Sequence, residues 1–282
     1  MEHPAFAENN VAVITGAADG IGLAAAKKYA GMGMRVCMAD INLAKLEAAT
    51  ATIPGALAVA TDVSDIAQVE ALRDSAYAAF GQVDVLMNNA GMGASTGCWT
   101  ERDNWLRVLQ VNLWGVINGT QAFSAAMLAQ ATPGVIINTG SKQGITCPPG
   151  NPAYNVSKAG IKTFTEALQH ELRNTADCQI SAHLLVPGFT YTGMIASFMP
   201  EQPPAAWSPA QVVDFLLQGV NAGDFYILCP DNDVDRAADN KRMAWAVGDL
   251  IHNRPPLSRW HPDFAQAFES YQLDPQTSAN DD

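Results

Sequence analysis

Short β-branched runs alternate with longer alanine-rich segments from residue 11 to about residue 230, and no other feature limits the fold as tightly. The runs at 11–15, 35–40, 57–61, 83–88, 135–139, 179–186 and 225–229 read as seven strands. Between them, 20–30, a segment from about 43, 65–80, 101–131, 153–174 and 209–220 read as helices. Parallel neighbours need a crossover, and right-handed crossovers place helices on both faces of a sheet. The expectation is therefore an α/β fold, a doubly wound parallel sheet of about seven strands, in one domain over residues 1–230. In such sheets ligands bind beyond the carboxyl ends of the strands. Gly16, Asp40, Asp62, Asn89, Ser141 and Pro187 all follow predicted strands.

Beyond residue 230 the alternation stops, and 231–282 read as a C-terminal helical extension with a polar tail. Acids at 231–235 open a helix running to about 251, Arg254-Pro255-Pro256 stops it, and a second short helix covers 262–271. Asp231, Asp233 and Asp235 are spaced like the first ligands of a calcium loop. Arg236 stands where that loop needs glycine and Arg242 where it needs a bidentate glutamate, so no metal site is expected.

Sixteen Lys and Arg against 28 Asp and Glu give a net charge of −12, which argues against a nucleic-acid partner. With 48% hydrophobic and 16% charged residues, the chain can bury a large core. No uncharged apolar run reaches the roughly 18 residues of a membrane helix, and the first ten residues do not resemble a signal peptide. Cys37, Cys98, Cys147, Cys178 and Cys229 are scattered without a C-x-x-C pair, which fits a reducing cytoplasm; Cys37, Cys178 and Cys229 fall in runs expected to be buried strands.

The first predicted strand runs into Gly16-Ala17-Ala18-Asp19-Gly20-Ile21-Gly22 and then a helix. Glycines let backbone approach a pyrophosphate, and the helix start offers free N–H groups and a positive dipole end. Asp40 ends the second strand eighteen residues beyond Gly22, near the spacing at which a carboxylate meets an adenosine ribose. A 2′-phosphate there would meet like charge, and neither Asp19 nor Ile41 offsets it, so NAD is expected over NADP. Asp40 is alternatively an N-cap for the following helix. Asp62, with Val63, would border the adenine or cap the next helix in turn.

Tyr154 and Lys158 lie four residues apart on one face of a predicted helix, with Ser141 thirteen residues upstream. A phenol, an ammonium and a hydroxyl at those spacings are the parts of a proton-transfer site. A free phenol has a pKa near 10, and bringing it to roughly 7 takes about 4 kcal/mol of preference for the phenolate. A nearby cation contributes about 1–3 units, so Lys158 together with an oxidised nicotinamide would suffice.

These pieces, in this order, resemble the short-chain dehydrogenase/reductase family in its smaller, single-domain branch. The matching motifs are T-G-x-x-x-G-x-G at 15–22, Asn88-Asn89-Ala90-Gly91, Asn112, Ser141, Tyr154-x-x-x-Lys158 and Pro187-Gly188. The resemblance implies a Rossmann-type sheet and an oxidoreductase. It makes Tyr154 the acid/base, Ser141 the group that holds the substrate oxygen, Lys158 also a ligand of the nicotinamide ribose, and Asn112 the holder of a water that passes protons on from Lys158. Asn112 read without the family is a polar side chain bonding backbone within a helix. Asn89 becomes a tie between strands and Gly91, with Ala90, a close approach to the cofactor. After Pro187-Gly188, Thr192 would meet the nicotinamide amide, with Thr190 as its rival. The helices over 101–131 and 153–174 resemble those that pair subunits in this family, so a homodimer or homotetramer is expected.

Three features depart from the family pattern: Lys142-Gln143 after Ser141, Pro230-Asp231-Asn232-Asp233 in place of a short Asp-Gly-Gly motif, and the tail of about fifty residues. Gln143 or Lys142 could reach the substrate, or Lys142 could point outward. The segment after Thr192 carries Met194, Ile195, Phe198, Met199 and Trp207, and Tyr191 and Cys98-Trp99 add apolar surface. A site so lined suits a bulky apolar or aromatic secondary alcohol or ketone, unless the stripe packs on the tail or on another subunit. The expected activity is NAD-dependent interconversion of such an alcohol and ketone. An altered tetrad of Asn112, Ser141, Tyr154 and Lys158 would point to a lyase or isomerase on the same fold, and loss of Tyr154 or Lys158 to a non-catalytic NAD-binding regulator; the tetrad is intact. The tail over 233–271 is expected to cross a subunit boundary or border the substrate cleft.

Overall fold

The computed structural model describes residues 2–274. Strand β1 (Val11–Thr15) leads into α1 (Gly20–Gly31), followed by β2 (Arg35–Asp40), α2 (Leu43–Thr50), β3 (Leu57–Ala60), α3 (Ile66–Phe80) and β4 (Val85–Asn88). Next come α4 (Arg102–Val108), a π-helical segment (Leu109–Trp114), α5 (Gly115–Ala129), β5 (Gly134–Thr139), the short α6 (Gln143–Thr146), α7 (Pro152–Asn174) and β6 (Ile180–Val186). The chain continues through the short α8 (Gly193–Ala196), α9 (Pro209–Ala222), β7 (Tyr226–Leu228), α10 (Arg236–Ile251) and α11 (Ala265–Leu273). Among the described residues the seven strands form one sheet, ordered β3-β2-β1-β4-β5-β6-β7, with every pairing parallel. The expected α/β, Rossmann-type architecture is the observed one.

The strands carry apolar residues on both faces because both are covered. Ala12, Ile14, Val36, Met38, Val85 and Met87 pack with Ala25, Tyr29, Leu46, Val212 and Leu216 of α1, α2 and α9. Val11, Val13, Cys37, Leu86 and Ile136 pack with Val69, Leu72, Phe123 and Leu172 of α3, α5 and α7. Helix ends follow local chemistry. Ser208 and Gln211 form a capping box ahead of α9, Asp65 caps α3 through Ala67 N, and Gly81 and Gly223 end helices at φ 79° and 81°.

Both capping alternatives for the site carboxylates fail. Asn42 caps α2 through Lys45 N, not Asp40, and Asp65 caps α3, not Asp62. Strand boundaries shift by a residue or two, with β4 starting at Val85; just ahead of it the Asp84 carboxylate accepts from Val11 N at 2.7 Å. The helix expected over 101–131 is interrupted by the π segment, and α6 and α8 carry no amphipathic signal long enough to read. Cys178 lies just ahead of β6 and is half-buried, unlike Cys37 and Cys229. Both tail helices are present. Asp235 caps α10 through Ala238 N at 2.8 Å, and Trp245 packs edge-on against Phe268 and Tyr271 at 5.2 Å each. The polar end expected at 275–282 lies outside the described residues. No helix among those described is long and apolar enough to cross a membrane.

A polar seam crosses the buried centre. Asn88 donates to Asn138 Oδ1 at 2.9 Å and to Thr120 at 3.3 Å, and Asn138 donates to Thr165 at 3.1 Å, joining β4 and β5 to α5 and α7. Gly119 lets α5 approach it, since a Cβ there would collide with Asn88 Oδ1. Gly→Ala in a helix ordinarily gains about 1 kcal/mol. Here Gly119→Ala is expected to destabilise the chain by about 1–3 kcal/mol in denaturant unfolding, the usual cost of overpacking. A gain in stability would show that Asn88 can step aside.

Candidate active site

Strand order reverses between β1 and β4, and the loops after them part there, opening a cleft of about 480 Å³ at the carboxyl ends of the strands. The two loops are clamped together below it. Thr15 Oγ accepts from Asn89 N and Ala90 N at 3.0 and 3.1 Å, and Asn89 Nδ2 donates to Thr15 O at 3.1 Å. Gly16 sits against Ala90, where a Cβ would come within 2.8 Å of its Cα, and at φ 64° it adopts a left-handed conformation. A Cβ on Gly22 would collide with Gly16 O, so α1 starts tight under the turn. Asp19 caps that start through Gly20 N at 2.6 Å.

Gly16, Asp19, Gly20, Ile21 and Asp40 line one end of the cleft, and Asn89, Ala90 and Gly91 continue its wall as far as Lys158. Asp40 holds its loop in place, accepting from Ala18 N at 3.2 Å and Asn42 N at 2.9 Å. Pro187, Gly188, Thr190 and Thr192 line the middle. Gly22 lies beneath the turn. Asp62 and Val63 stand apart from the cleft: Asp62 accepts from Ser64 N and Oγ, and Val63 is buried against α5, where its carbonyl accepts from Asn118.

Ser141, Tyr154 and Lys158 meet at the other end. Asn151 and Pro152 start α7 so that Tyr154 falls in its first turn and Lys158 one turn later. Lys158 Nζ donates to Thr139 O at 2.8 Å and stands 5.6 Å from the centroid of the Tyr154 ring. Burial lowers the Lys158 ammonium to about 8. Burial also pushes the Tyr154 phenol up, and its hydrogen bond with Ser141 draws it back. The protein groups around Tyr154 therefore raise it on balance, opposite to the lowering expected of Lys158; a lowered phenol calls for positive charge brought by a ligand.

Asn112 sits in the π segment, fully buried. Its Oδ1 accepts from Met92 N at 2.8 Å, and its Nδ2 donates to Met92 O at 3.0 Å and Ser157 Oγ at 3.1 Å. It thus ties the loop after β4 to α7 and bonds no backbone of its own helix. Such bulges recur at functional sites because the extra residue re-aims a side chain.

Of the expected substrate contacts, Gln143 and Met194 border the cleft. Trp207 instead packs into the core beside α9, edge-on to Phe215 at 5.9 Å. The Tyr191 hydroxyl donates to Met199 O and Pro200 O, closing its own loop, and Phe198 is 65% exposed outside the cleft. Ile195, Phe189, Thr139, Gly140, Gly193 and Lys142 complete the lining. Phe189 directly follows Pro187-Gly188, so its place beside that motif is the one signal in the sequence that points to it. Lys142 does not point outward: its Nζ lies 2.6 Å from Asp239 and 3.5 Å from Asp231. Asp231 is thereby engaged, as is Asp235 at its cap.

The model of the family described as short chain dehydrogenase matches residues 10–203. Galactitol 2-dehydrogenase of Agrobacterium fabrum is 39% identical over 163 residues, a match spanning 56% of this chain and 63% of that protein. The 1-deoxy-11-beta-hydroxypentalenate dehydrogenase of Streptomyces exfoliatus is 29% identical over 90% of this chain and 94% of its own length. Among solved structures, a short chain dehydrogenase/reductase from Burkholderia phymatum in complex with NAD superposes with a TM-score of 0.79 at 33% identity, covering 88% of this chain and 96% of that one.

A buried ammonium has a cost that can be read directly. The unfolded chain holds the Lys158 proton up to the ordinary 10.5, the folded chain only to about 8. Stability therefore rises between those values, and below about 8 the ammonium costs on the order of 3 kcal/mol. Lys158→Met is expected to be more stable than wild type at pH 7 by about 1–3 kcal/mol, allowing for the lost Thr139 hydrogen bond. Denaturant midpoints should converge as pH approaches 10; a constant difference would mean the ammonium is not buried.

Proposed function

The chain belongs to the short-chain dehydrogenase family, and from that premise we propose that it interconverts a secondary alcohol and a ketone with NAD, Tyr154 serving as acid/base. The observation that carries this reading is that Ser141, Tyr154 and Lys158 line one cleft, with Tyr154 in the first turn of α7 and Lys158 one turn later. A carbinol or carbonyl oxygen bound between the Ser141 and Tyr154 hydroxyls would meet both. Ser141 orients that oxygen, and Tyr154 takes its proton in oxidation or returns it in reduction. Lys158, fixed by Thr139 O, favours the phenolate. Asn112 holds the loop after β4 against α7, so Gly91 and Lys158 keep their spacing.

The opposite end of the cleft fits a dinucleotide. Left-handed Gly16 and Gly20 open the turn, the N-terminus of α1 faces the pyrophosphate path, and Asp40 is placed to accept from ribose hydroxyls. When bound, NAD supplies or takes up the hydride. Asp19 and Asp40 both stand by the glycine turn, and neither lining cation does, Lys158 being on α7 beside Tyr154 and the Lys142 ammonium being held by Asp239, which favours NAD over NADP among the described residues. Met194, Ile195 and Phe189 support an apolar substrate. Similarity to two proteins named as dehydrogenases of hydroxyl compounds supports the reaction class. The assembly we propose is a homodimer or homotetramer.

Tyr154→Phe is expected to lower kcat for a secondary alcohol by about 10²–10⁴-fold, followed by NADH absorbance, while NADH affinity stays within the wild-type range. Retained turnover would assign the proton transfer elsewhere. Asp40→Ala should shift the NADP+ to NAD+ ratio of kcat/KM upward by roughly tenfold or more. An unchanged ratio would remove Asp40 from cofactor selection.

A further inference from the structure

Lys142 follows Ser141 directly, and its stem borders the cleft, yet its ammonium ends on the far side against α10. There it lies 2.6 Å from Asp239 and 3.5 Å from Asp231. Asp239 borders a separate small cavity of about 40 Å³, which it shares with Arg242 and Arg259. It is 5% exposed and also stands 4.0 Å from Arg242. Asp231 in turn accepts from Phe189 N at 3.3 Å, so the cluster joins the loops after β5 and β6 to the C-terminal segment. Lys142 and Arg242 thus lie within 4.0 Å of Asp239, while Arg259 borders the same small cavity with its guanidinium over the Trp260 and Phe268 rings. Of the three, Lys142 borders both cavities.

We propose that Asp239 is a specificity-determining residue: by holding the Lys142 ammonium against α10, it withholds a second positive charge from the end that already carries Lys158 and selects uncharged substrates over carboxylate-bearing ones. The inference rests on the oxidoreductase reading above. Loss of the Asp239 charge leaves Asp231, 3.5 Å away, as the carboxylate beside Lys142, and Lys142 is the cation with a path into the cleft. Turned inward, its ammonium would stand beside Ser141, within reach of a substrate carboxylate. Asp239 acts through Lys142 and touches no reacting atom.

The test uses matched pairs that differ in charge alone, secondary hydroxy acids and their methyl esters, with NAD+ and the full chain. Asp239→Asn should raise kcat/KM for the acid relative to the ester by roughly tenfold, chiefly through KM. NADH affinity should not change, and Lys142→Met in the same chain should cancel the gain. An unchanged ratio in Asp239→Asn, with melting temperature and NADH affinity retained, overturns the proposal. Should Asp239→Asn not fold, Lys142→Gln alone decides: the ratio must stay within about twofold of wild type. A selective loss of acid turnover would show the ammonium already in the site and refute the inference. Absence of any turnover by the wild type, with NADH still bound, would instead overturn the oxidoreductase reading and this proposal with it.

Discussion

Two residues hold the molecule together at the place where its sheet divides. β1 is flanked by β2 on one side and β4 on the other, and the loops leaving β1 and β4 must separate to cover opposite faces. Separation exposes polar backbone at the most buried end of the sheet, where an unpaired group is expensive. Thr15 and Asn89 meet that need by exchanging hydrogen bonds across the gap. Everything above depends on this clamp. The glycine turn rests on one side of it, Ala90 and Gly91 on the other, and the candidate catalytic groups on α7 face the space between.

The lysine at the centre of the site shows how function and stability pull apart. An ammonium shielded from water and given one carbonyl partner is a poor choice for a stable core. Under the function proposed above it suits a site that favours a negative oxygen nearby, because a charge shielded from bulk solvent acts more strongly than one in water. The rest of the fold, with both sheet faces covered, supplies the surplus stability that lets such a group persist.

Legibility in the sequence divided along the same line. The alternation of elements, the glycine turn, Asp40, Ser141, Tyr154 and Lys158 could all be read because each depends on local spacing: a strand end, a helix start, one helical turn. The substrate end could not. Trp207 looks like a pocket wall in sequence but is absorbed by α9, and Tyr191 spends its hydroxyl on its own loop. Lys142 is redirected by Asp239, a partner far along the chain that no local pattern links to it. The π segment was invisible for a related reason, since Leu109–Trp114 has ordinary helical composition and the extra residue is set by the pull of Met92 and Ser157 on Asn112.

The amide seam between β4 and β5 bears on how the chain finds its fold. Asn88 and Asn138 stand opposite each other in register, each with a threonine partner on the covering helices. Parallel pairings form late and slowly, because their strands are distant in sequence. Apolar residues on both faces would tolerate a slipped pairing almost as well as the correct one. A slip of one residue would leave both amides facing hydrocarbon with nothing to bond, and docking of α5 and α7 would then be unfavourable. The seam thus ties the register of β4 on β5 to the docking of the helices that cover them.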